Sequence, residues 1–320
     1  MKADTSFYLN ALRLLEKIDN VLILTHRNPD GDAIGSAFAL YHLLTAMGKN
    51  ARIEVEKASE ELDFFVFGDA LEYFPEDYVV TVDVADKRLL PEEQLAKYDD
   101  RVYLAIDHHA ANKPFAKHLV LDAEAAATCE IIFDLTVMCG LELPREMNTY
   151  LYLGIATDTG CFRYPNCTSH THMAAATLLM RGANSKFVNK SMFETKTLEY
   201  IRFETMALNS LKTYYDGQCA VIVLTQEMFA ETGVAEADTH GIAALPRQIK
   251  GVKVGIVIKE REDGSFKVSM RSNEPVSAGD ICEALGGGGH RLAAGCEPEG
   301  DLDSVLSQVL EVVGEALADI

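Results

Sequence analysis

Acidic and histidine side chains follow apolar segments at four places in the first half of the sequence. Carboxylate and imidazole groups together are the ligand set of hard to borderline metals such as Mn²⁺. The four clusters supply more donors than one ion requires, so the sequence predicts more than one bound metal. In chain order they are His26 with Asp30 and Asp32, Asp83 with Asp86, Asp107 with His108 and His109, and Asp158.

Each cluster taken alone has a simpler interpretation. An Asp before a Gly, such as Asp30 in the segment PDGD, is usually a turn residue or a helix cap. We interpret Asp86 in this way, and the pair His108 and His109 could lie in a surface turn. Four such clusters, each directly after an apolar element, are harder to explain as independent caps, and this coincidence favours one shared site.

The elements that must position these residues are short strands alternating with helices, from residue 1 to about residue 190. This alternation is typical of an α/β domain with a mostly parallel sheet. The β segments are VLILT, ARIEV, YVVTVDV, VYLAID and HLVLD, and the helical stretches begin near Ala33, Ala125, Arg145 and Ser169. Because ligands of open α/β sheets bind outside the carboxyl ends of the strands, we expect the four clusters to lie together there.

The second half of the chain has a different character. The segment FETKTLEYIRFETMALNSLK, residues 193–212, contains no Gly or Pro and predicts one long connecting helix. After it come the strand-like segments CAVIVLT, GVKVGIVIKE and FKVSMRS and a closing helical segment, LDSVLSQVLEVVGEALADI. The sequence therefore predicts a metal-binding domain at 1–190, a connector helix at 191–213 and a smaller α/β domain at 214–320.

The smaller domain carries residues suited to phosphate. In FKVSMRS, alternation places Lys267, Ser269 and Arg271 on one face of a strand, and the planar fork of an Arg can bind two phosphate oxygens. A run of four glycines before a His lets backbone N–H groups approach a phosphate, although such a run is often only a flexible loop. The predicted phosphate-binding residues are Arg271, Gly287, Gly288, Gly289 and His290.

Composition restricts the partners. The chain has 49 acidic and 29 basic residues, a net charge of −20, which disfavours long nucleic acid but allows a local basic site for a short polyanion. Its longest apolar runs are shorter than the ~20 residues that a membrane span needs, so no membrane partner is expected. The N-terminus lacks the apolar core of a signal peptide, and seven Cys at irregular spacing suggest reduced thiols. We predict a cytoplasmic protein.

The motifs resemble those of a known family. The pattern His-x-x-x-Asp-x-Asp-x-x-Gly-Ser from His26, then Asp83, then Asp107-His108-His109, then Asp158 in TDTG resembles the DHH phosphoesterases. The segments VSMRS and GGGGHRLAAGC resemble the C-terminal DHHA1 domain of the same family. The resemblance spans nearly the whole chain and implies an N-terminal DHH domain with a mostly parallel sheet, joined by a long helix to a smaller α/β DHHA1 domain.

The resemblance also implies roles for the residues. A hydroxide activated by two Mn²⁺ ions would attack the phosphate, since two ions can bind one water and lower its pKa. Asp107 would support a metal-bound His from outside, and His109 would contact the phosphate or protonate the leaving oxygen. The implied ligands are His26 and Asp30 for one metal, Asp32, His108 and Asp158 for the other, and Asp83 as the bridge between them.

These expectations combine into a Mn²⁺-dependent phosphohydrolase with its active site in the cleft between the domains. Its expected substrates are very short RNA or DNA oligonucleotides, 3′-phosphoadenosine 5′-phosphate, or both. A cyclic or linear dinucleotide phosphodiesterase is the alternative enzyme. A nucleotide-binding regulator on the same scaffold is the alternative from another class, and turnover with Mn²⁺ would distinguish the two. The sequence does not determine the oligomeric state, so a homodimer is an open alternative.

Overall fold

The structure is a computed structural model, and it describes residues 5–56, 58, 62–66, 68–141, 143–236 and 239–318. The chain divides into two compact units, Met1–Thr195 and Lys196–Ile320. The division lies within the segment 191–213 that was predicted to connect two domains. Each unit has its own sheet and its own buried core.

The N-terminal unit is built on a five-stranded sheet in which all neighbouring strands are parallel. All five predicted β segments form strands of this sheet, in the order β2-β1-β3-β4-β5. The connection from β2 back across β1 to β3 makes a topological switch point between β1 and β3, where ligands of doubly wound sheets bind. The strands are Val21–Leu24 (β1), Ala51–Glu54 (β2), Tyr78–Val82 (β3), Val102–Asp107 (β4) and His118–Leu121 (β5).

Helices of this unit begin close to the predicted positions. Helix α2 begins at Gly31 because the Asp30 side chain accepts hydrogen bonds from the backbone N–H groups of Asp32 and Ala33. Helix α6 begins at the predicted Ser169. The helices are Thr5–Glu16 (α1), Gly31–Ala46 (α2), Glu92–Tyr98 (α3), Thr128–Cys139 (α4), Arg145–Asp158 (α5), Ser169–Met180 (α6) and Ser185–Asn189 (α7).

Close packing of α2 on α5 fixes the position of two candidate ligands. Phe38 of α2 stacks on Tyr150 of α5, with 4.7 Å between the ring centroids. A Cβ atom at Gly35 would lie 2.5 Å from the Tyr150 carbonyl oxygen, so only glycine permits this approach. The contact therefore brings Asp32, in the first turn of α2, toward Asp158 at the end of α5.

The C-terminal unit contains a six-stranded mixed sheet in the order β10-β11-β9-β8-β7-β6. Only β7 and β8 pair in parallel. Apolar residues of the closing helix and of α10 cover one face, and residues of α8 and α9 pack on part of the other. The elements are Leu198–Asn209 (α8), Lys212–Tyr214 (β6), Cys219–Leu224 (β7), Gln226–Thr232 (α9), Val254–Glu260 (β8), Phe266–Ser272 (β9), Ala278–Ala284 (α10), Gly288–His290 (β10), Ala293–Cys296 (β11) and Leu302–Ala318 (α11).

The predicted single helix over 193–212 is wrong in its extent. A π-helical turn ends at Glu194, and the backbone is extended at Thr195 and Thr197. Helix α8 starts after Thr197 because the Thr197 hydroxyl caps it by accepting a hydrogen bond from the N–H of Tyr200. At the other end, β6 pairs with β7, so strand pairing replaces the last predicted helical residues.

The C-terminal unit ends in a β-hairpin followed by helix α11. Part of the glycine run that precedes His290 forms strand β10, which makes a hairpin with β11. Helix α11 is described to Ala318, and the last two residues of the predicted closing helix lie outside the described residues. None of the described helices is both long enough and apolar enough to cross a membrane.

Candidate functional site

The predicted ligands converge at the carboxyl ends of the strands in the N-terminal unit. His26 follows β1 and Asp83 follows β3, so both lie at the switch point of the sheet. The donor atoms fall into three groups, and within each group they lie within 4.8 Å of one another. The groups are His26 with Asp30 and Asp83, Asp32 with His108 and Asp158, and Asp83 with His108 and His109.

The first group is centred on His26. Its Nε2 atom lies 3.7 Å from Asp83 Oδ2 and 4.0 Å from Asp30 Oδ1. Its Nδ1 atom lies 2.8 Å from the carbonyl oxygen of Arg27. Because a carbonyl oxygen only accepts, Nδ1 carries a hydrogen, which leaves Nε2, the nitrogen that faces the carboxylates, as the atom that would bind a metal.

The second group is centred on His108. Its Nε2 atom lies 3.2 Å from Asp158 Oδ2, 3.7 Å from Asp83 Oδ1 and 4.0 Å from Asp32 Oδ2. This nitrogen is buried and has no well-formed hydrogen bond within the described part of the chain. Its Nδ1 atom lies 3.2 Å from the Ala125 carbonyl oxygen. A buried imidazole nitrogen that faces three carboxylates in this way matches the donor set of a metal such as Mn²⁺.

Asp83 lies close to both His26 and His108. Its Oδ2 faces His26 and its Oδ1 lies 3.7 Å from both His108 Nε2 and His109 Nδ1. The residue is 3% exposed and its φ of 60° lies in the left-handed region, which costs a residue with a side chain about 1–3 kcal/mol. Strain of this size at a strand end is retained where the surroundings require one side-chain direction. The Asp83 carboxylate therefore directs one oxygen to His26 and the other to His108.

The Asp107 carboxylate orients the imidazole ring of His109 and not that of His108. The Asp107 carboxylate is fully buried and accepts hydrogen bonds from His109 Nδ1 at 2.7 Å and from the backbone N–H of His108 at 2.9 Å. Asn112 donates its side-chain N–H to the second oxygen at 2.6 Å. The outer partner of His108 is instead the Ala125 carbonyl. The structure thus fixes the ring of His109 through a carboxylate and that of His108 through a carbonyl.

Three residues of the site have no motif that would reveal them in the sequence. The backbone N–H groups of Thr128 and Cys129 donate to the two oxygens of Asp32 at 2.6 and 2.9 Å. The Thr128 hydroxyl donates to Asp83 Oδ1 at 3.0 Å. A Cβ atom at Gly154 would lie 2.5 Å from Asp32 Oδ1, so glycine is needed beside this carboxylate.

The surroundings of Asp32, Asp83 and Asp158 shift the pKa values of their carboxyl groups in different directions. Burial and the charges of Asp83 and Asp158 raise the pKa of Asp32 well above its ordinary value. Burial also raises the pKa of Asp158 to about 6, against the opposing contact with His108. Burial acts in the same direction on Asp83, but the contacts with His26 and His108 hold its pKa well below the usual range. Neighbouring carboxyl groups whose pKa values are shifted in opposite directions are typical of a functional site. A cation among them would favour their ionised forms.

Asp86 lies outside all three groups, as predicted. Its carboxylate accepts a hydrogen bond from the backbone N–H of Arg88 at 3.0 Å and forms an ion pair with the Arg88 side chain at 2.6 Å. The residue caps a short 3₁₀ turn over Lys87–Leu89. It therefore has a structural role close to, but separate from, the candidate metal centre.

In the C-terminal unit, the strand register relates the predicted phosphate-binding residues. Arg271 of β9 is paired with Ala293 of β11, and Ala293 is paired with His290 of β10. Residues directly opposite on neighbouring strands share a face of the sheet, so Arg271 and His290 lie on one face, two strands and about 10 Å apart. Ala293, which lies between them, has a small side chain.

Gly287, which precedes β10, and Gly288 and Gly289 within it have different amounts of space for a side chain. A Cβ atom at Gly287 would collide with the Gly295 carbonyl oxygen, and one at Gly289, whose φ is 147°, would lie 2.6 Å from Ala294 Cα. A Cβ atom at Gly288 would meet nothing within 4 Å. The hairpin itself therefore requires Gly287 and Gly289, whereas only the approach of a ligand could require Gly288.

Known proteins resemble this chain along most of its length. Residues 20–155 match the model of the DHH family N-terminal domain, and residues 216–318 match the DHHA1 domain. The chain is 34% identical over 304 residues to the bifunctional oligoribonuclease and PAP phosphatase NrnA of Thermus thermophilus, covering 93% of this chain and 90% of that one. It is 27% identical over 299 residues to the cyclic-di-AMP phosphodiesterase PdeA of Listeria monocytogenes, covering 87% of this chain and 44% of that one.

Among solved structures, an exopolyphosphatase-related protein from Bacteroides fragilis has the same fold. It superposes with a TM-score of 0.87 at 22% identity, covering 98% of this chain and 96% of that one. The predicted two-part α/β architecture is confirmed by the two sheets and the two domain matches. The chain therefore belongs to the DHH family, and it carries a DHH domain followed by a DHHA1 domain.

Proposed function

We propose that the protein is a Mn²⁺-dependent phosphohydrolase that cleaves phosphoester bonds in very short oligonucleotides and in 3′-phosphoadenosine 5′-phosphate. The observation that carries the proposal is the position of Asp83 between two groups of His and Asp donors. Paired donor groups that share one carboxylate are suited to two metal ions acting on one phosphate. The name of the NrnA relative, an oligoribonuclease and PAP phosphatase, supports these two substrate classes.

In this proposal, His26 and Asp30 would hold one Mn²⁺, and Asp83 would contribute a carboxylate oxygen to each ion site. The mixed nitrogen and oxygen donors suit Mn²⁺ better than Mg²⁺, which favours oxygen alone. When bound, the two ions supply Lewis acidity that activates a water and neutralises charge on the phosphate. Asp32, His108 and Asp158 would hold the second ion.

His109 is proposed to hold a proton for the leaving oxygen. Burial alone would lower its pKa, but the contact with Asp107 and the charge of Asp83 outweigh burial and raise it. An imidazole held by a carboxylate in this way can carry the proton that a general acid donates. Asp107 and Asn112 fix the ring through their hydrogen bonds, so the acid is oriented before substrate binds.

The C-terminal unit is proposed to bind a phosphate other than the one that reacts. Arg271 and His290 share one face of the sheet beside Gly288, and a guanidinium group next to an accessible backbone suits a phosphate. The net charge of −20 disfavours long polyanions, so the proposed substrates are short. A cytoplasmic location and a homodimer remain predictions.

The match to PdeA favours a second candidate, a phosphodiesterase of cyclic or linear dinucleotides. The chain spans less than half the length of that relative, so the similarity concerns its DHH and DHHA1 portion. Both candidates would use the same metal centre. They differ only in which short substrate is turned over fastest.

The test is a panel of substrates with added Mn²⁺. Dinucleotides, a five-nucleotide RNA, 3′-phosphoadenosine 5′-phosphate, cyclic dinucleotides and pyrophosphate are compared by kcat/KM. Asp83→Asn serves as the inactive control and Asp86→Asn as its matched neighbour outside the metal groups. We expect fastest turnover of the short linear RNA or of 3′-phosphoadenosine 5′-phosphate. A preference for cyclic dinucleotides would select the second candidate, and no turnover of any phosphoester would refute the enzymatic proposal.

A further inference from the structure

The first turn of helix α4 contacts two of the proposed metal ligands. Thr128 is fully buried, its hydroxyl donates to Asp83 Oδ1 at 3.0 Å, and its backbone N–H donates to Asp32 Oδ2 at 2.6 Å. The next N–H, of Cys129, donates to Asp32 Oδ1 at 2.9 Å. A single residue therefore holds one oxygen of each of two carboxylates that come from distant parts of the sequence.

The capping of α4 shows that these contacts replace an ordinary helix start. The residue at the N-cap position is Ala127, which makes no side-chain capping hydrogen bond. Asp32, on α2, supplies the acceptor that a Ser, Thr or Asp at that position would normally provide. The N-terminal end of α4 also carries a partial positive charge, which stabilises a buried carboxylate. The helix start and Asp32 thus depend on each other.

The direction of the Thr128 hydroxyl is the decisive observation. A hydroxyl that served only its own helix would bond to a nearby backbone group, as the Thr136 hydroxyl donates to the Phe133 carbonyl, but this one donates to the carboxylate that follows β3. We infer that Thr128 is a positioning residue that sets the separation and direction of the Asp83 and Asp32 carboxylates for the metal pair. The inference rests on the proposed two-metal function and extends it to a residue that is not itself a ligand.

The inference predicts what should change when the hydroxyl is lost. Without its donor, Asp83 Oδ1 can rotate away from the direction shared by the two donor groups. Removing an outer partner of a metal ligand typically weakens metal binding by ~10–100-fold. The loss should appear in Mn²⁺ affinity and in kcat at limiting Mn²⁺, whereas KM for the nucleotide should stay unchanged, because Thr128 is not proposed to contact substrate.

The experiment compares Thr128→Val, which removes the hydroxyl, with Thr128→Ser, which keeps it. Mn²⁺ binding is measured by titration calorimetry on the full chain, with kcat, KM and the melting temperature of the metal-free protein measured in parallel. Thr136→Val is the matched control, because Thr136 is a buried threonine of the same helix whose hydroxyl donates to the Phe133 carbonyl. We expect ~10–100-fold weaker Mn²⁺ binding in Thr128→Val, recovery in Thr128→Ser, and no change of affinity in Thr136→Val.

Several outcomes would overturn the inference. One is Mn²⁺ affinity at the wild-type level in a folded variant that lacks the hydroxyl, and another is equal impairment of the Ser and Val variants. If Thr128→Val does not fold, Thr128→Ala is measured in the same way. If Thr128→Val and Thr128→Ala both fail to fold while Thr128→Ser is stable, the hydroxyl is needed for folding, and this result also contradicts the inference. A wild-type protein that binds no Mn²⁺ would instead refute the proposed function itself.

Discussion

The candidate metal centre of the N-terminal unit and the proposed phosphate-binding face of the C-terminal unit differ in burial and charge. In the metal centre, Asp32 is fully buried and Asp83 is 3% exposed, and imidazoles surround them. On the other face, the whole strand Gly288–His290 is exposed and Arg271 is half-buried. Cations need several donors desolvated at one point, whereas a phosphate needs accessible N–H groups and a positive charge. The two units therefore supply complementary parts of one proposed reaction.

The two regions should respond differently to substitutions. Side chains of the metal centre are held by hydrogen bonds from several elements, such as the N-terminal end of α4 beside Asp32. The phosphate-binding face depends instead on the backbone of a hairpin. Changes in the first region should alter metal affinity and kcat, and changes in the second should alter KM.

The largest effect is expected at the shared carboxylate. Asp83→Ala should abolish turnover because both donor groups lose a ligand, and the loss should exceed the ~10–100-fold that an outer partner of a metal costs. Asp86→Ala should change kcat little, since Asp86 pairs with Arg88 outside the donor groups. Both are measured by kcat at saturating Mn²⁺. Near-normal turnover of Asp83→Ala would contradict the two-metal assignment.

Removing the C-terminal unit should separate metal binding from substrate binding. A chain ending at Thr195 keeps every proposed metal ligand and should bind Mn²⁺ like the full chain. It lacks both Arg271 and His290, so its kcat/KM on a dinucleotide should fall further than in either single variant. Calorimetry and steady-state kinetics check the two parts. Equal dinucleotide activity of the short and full chains would remove the need for the second unit.

Single substitutions on the phosphate-binding face should have an intermediate effect. A charge-assisted hydrogen bond contributes ~1.5–3 kcal/mol, so Arg271→Ala or His290→Ala should lower kcat/KM by about 10- to 150-fold, mainly through KM. Arg291→Ala is the control, because Arg291 is exposed and pairs with Glu274. A small aryl phosphate diester should be affected less than a dinucleotide. Equal losses on both substrates, or weaker Mn²⁺ binding, would assign these residues to the metal site or to the fold.

The smallest effect on activity is expected at Gly288. Gly287→Ala should lower the free energy of unfolding by about 1–3 kcal/mol, because the new Cβ would meet the rigid Gly295 carbonyl. Gly288→Ala has open space, so stability should be unchanged while KM rises a few-fold if a phosphate approaches this backbone. Denaturant unfolding and KM measured on both variants distinguish the two roles. An unchanged KM in Gly288→Ala would limit the role of the glycines to the hairpin.

Much of the N-terminal unit could be predicted from the sequence because its signals are local. Five apolar segments became five strands, and two helices begin at the predicted Arg145 and Ser169. The types of the donors also restricted the chemistry to metal binding. The segment 193–212 was predicted less well, since nothing local distinguishes the helical Asn209 from Lys212, which pairs with β7. Strand pairing between distant residues has no periodic pattern in the chain.

The sequence by itself determined which side chains could bind metal and phosphate, and the order of strands and helices that brings them to one edge. Only the tertiary structure decided how these side chains are held. Asp107 orients His109, and Thr128 joins Asp32 and Asp83 across 96 and 45 positions of the chain. The physical reason is that a hydrogen bond between distant residues depends on the packing of whole elements, such as α2 on α5, which leaves no local pattern.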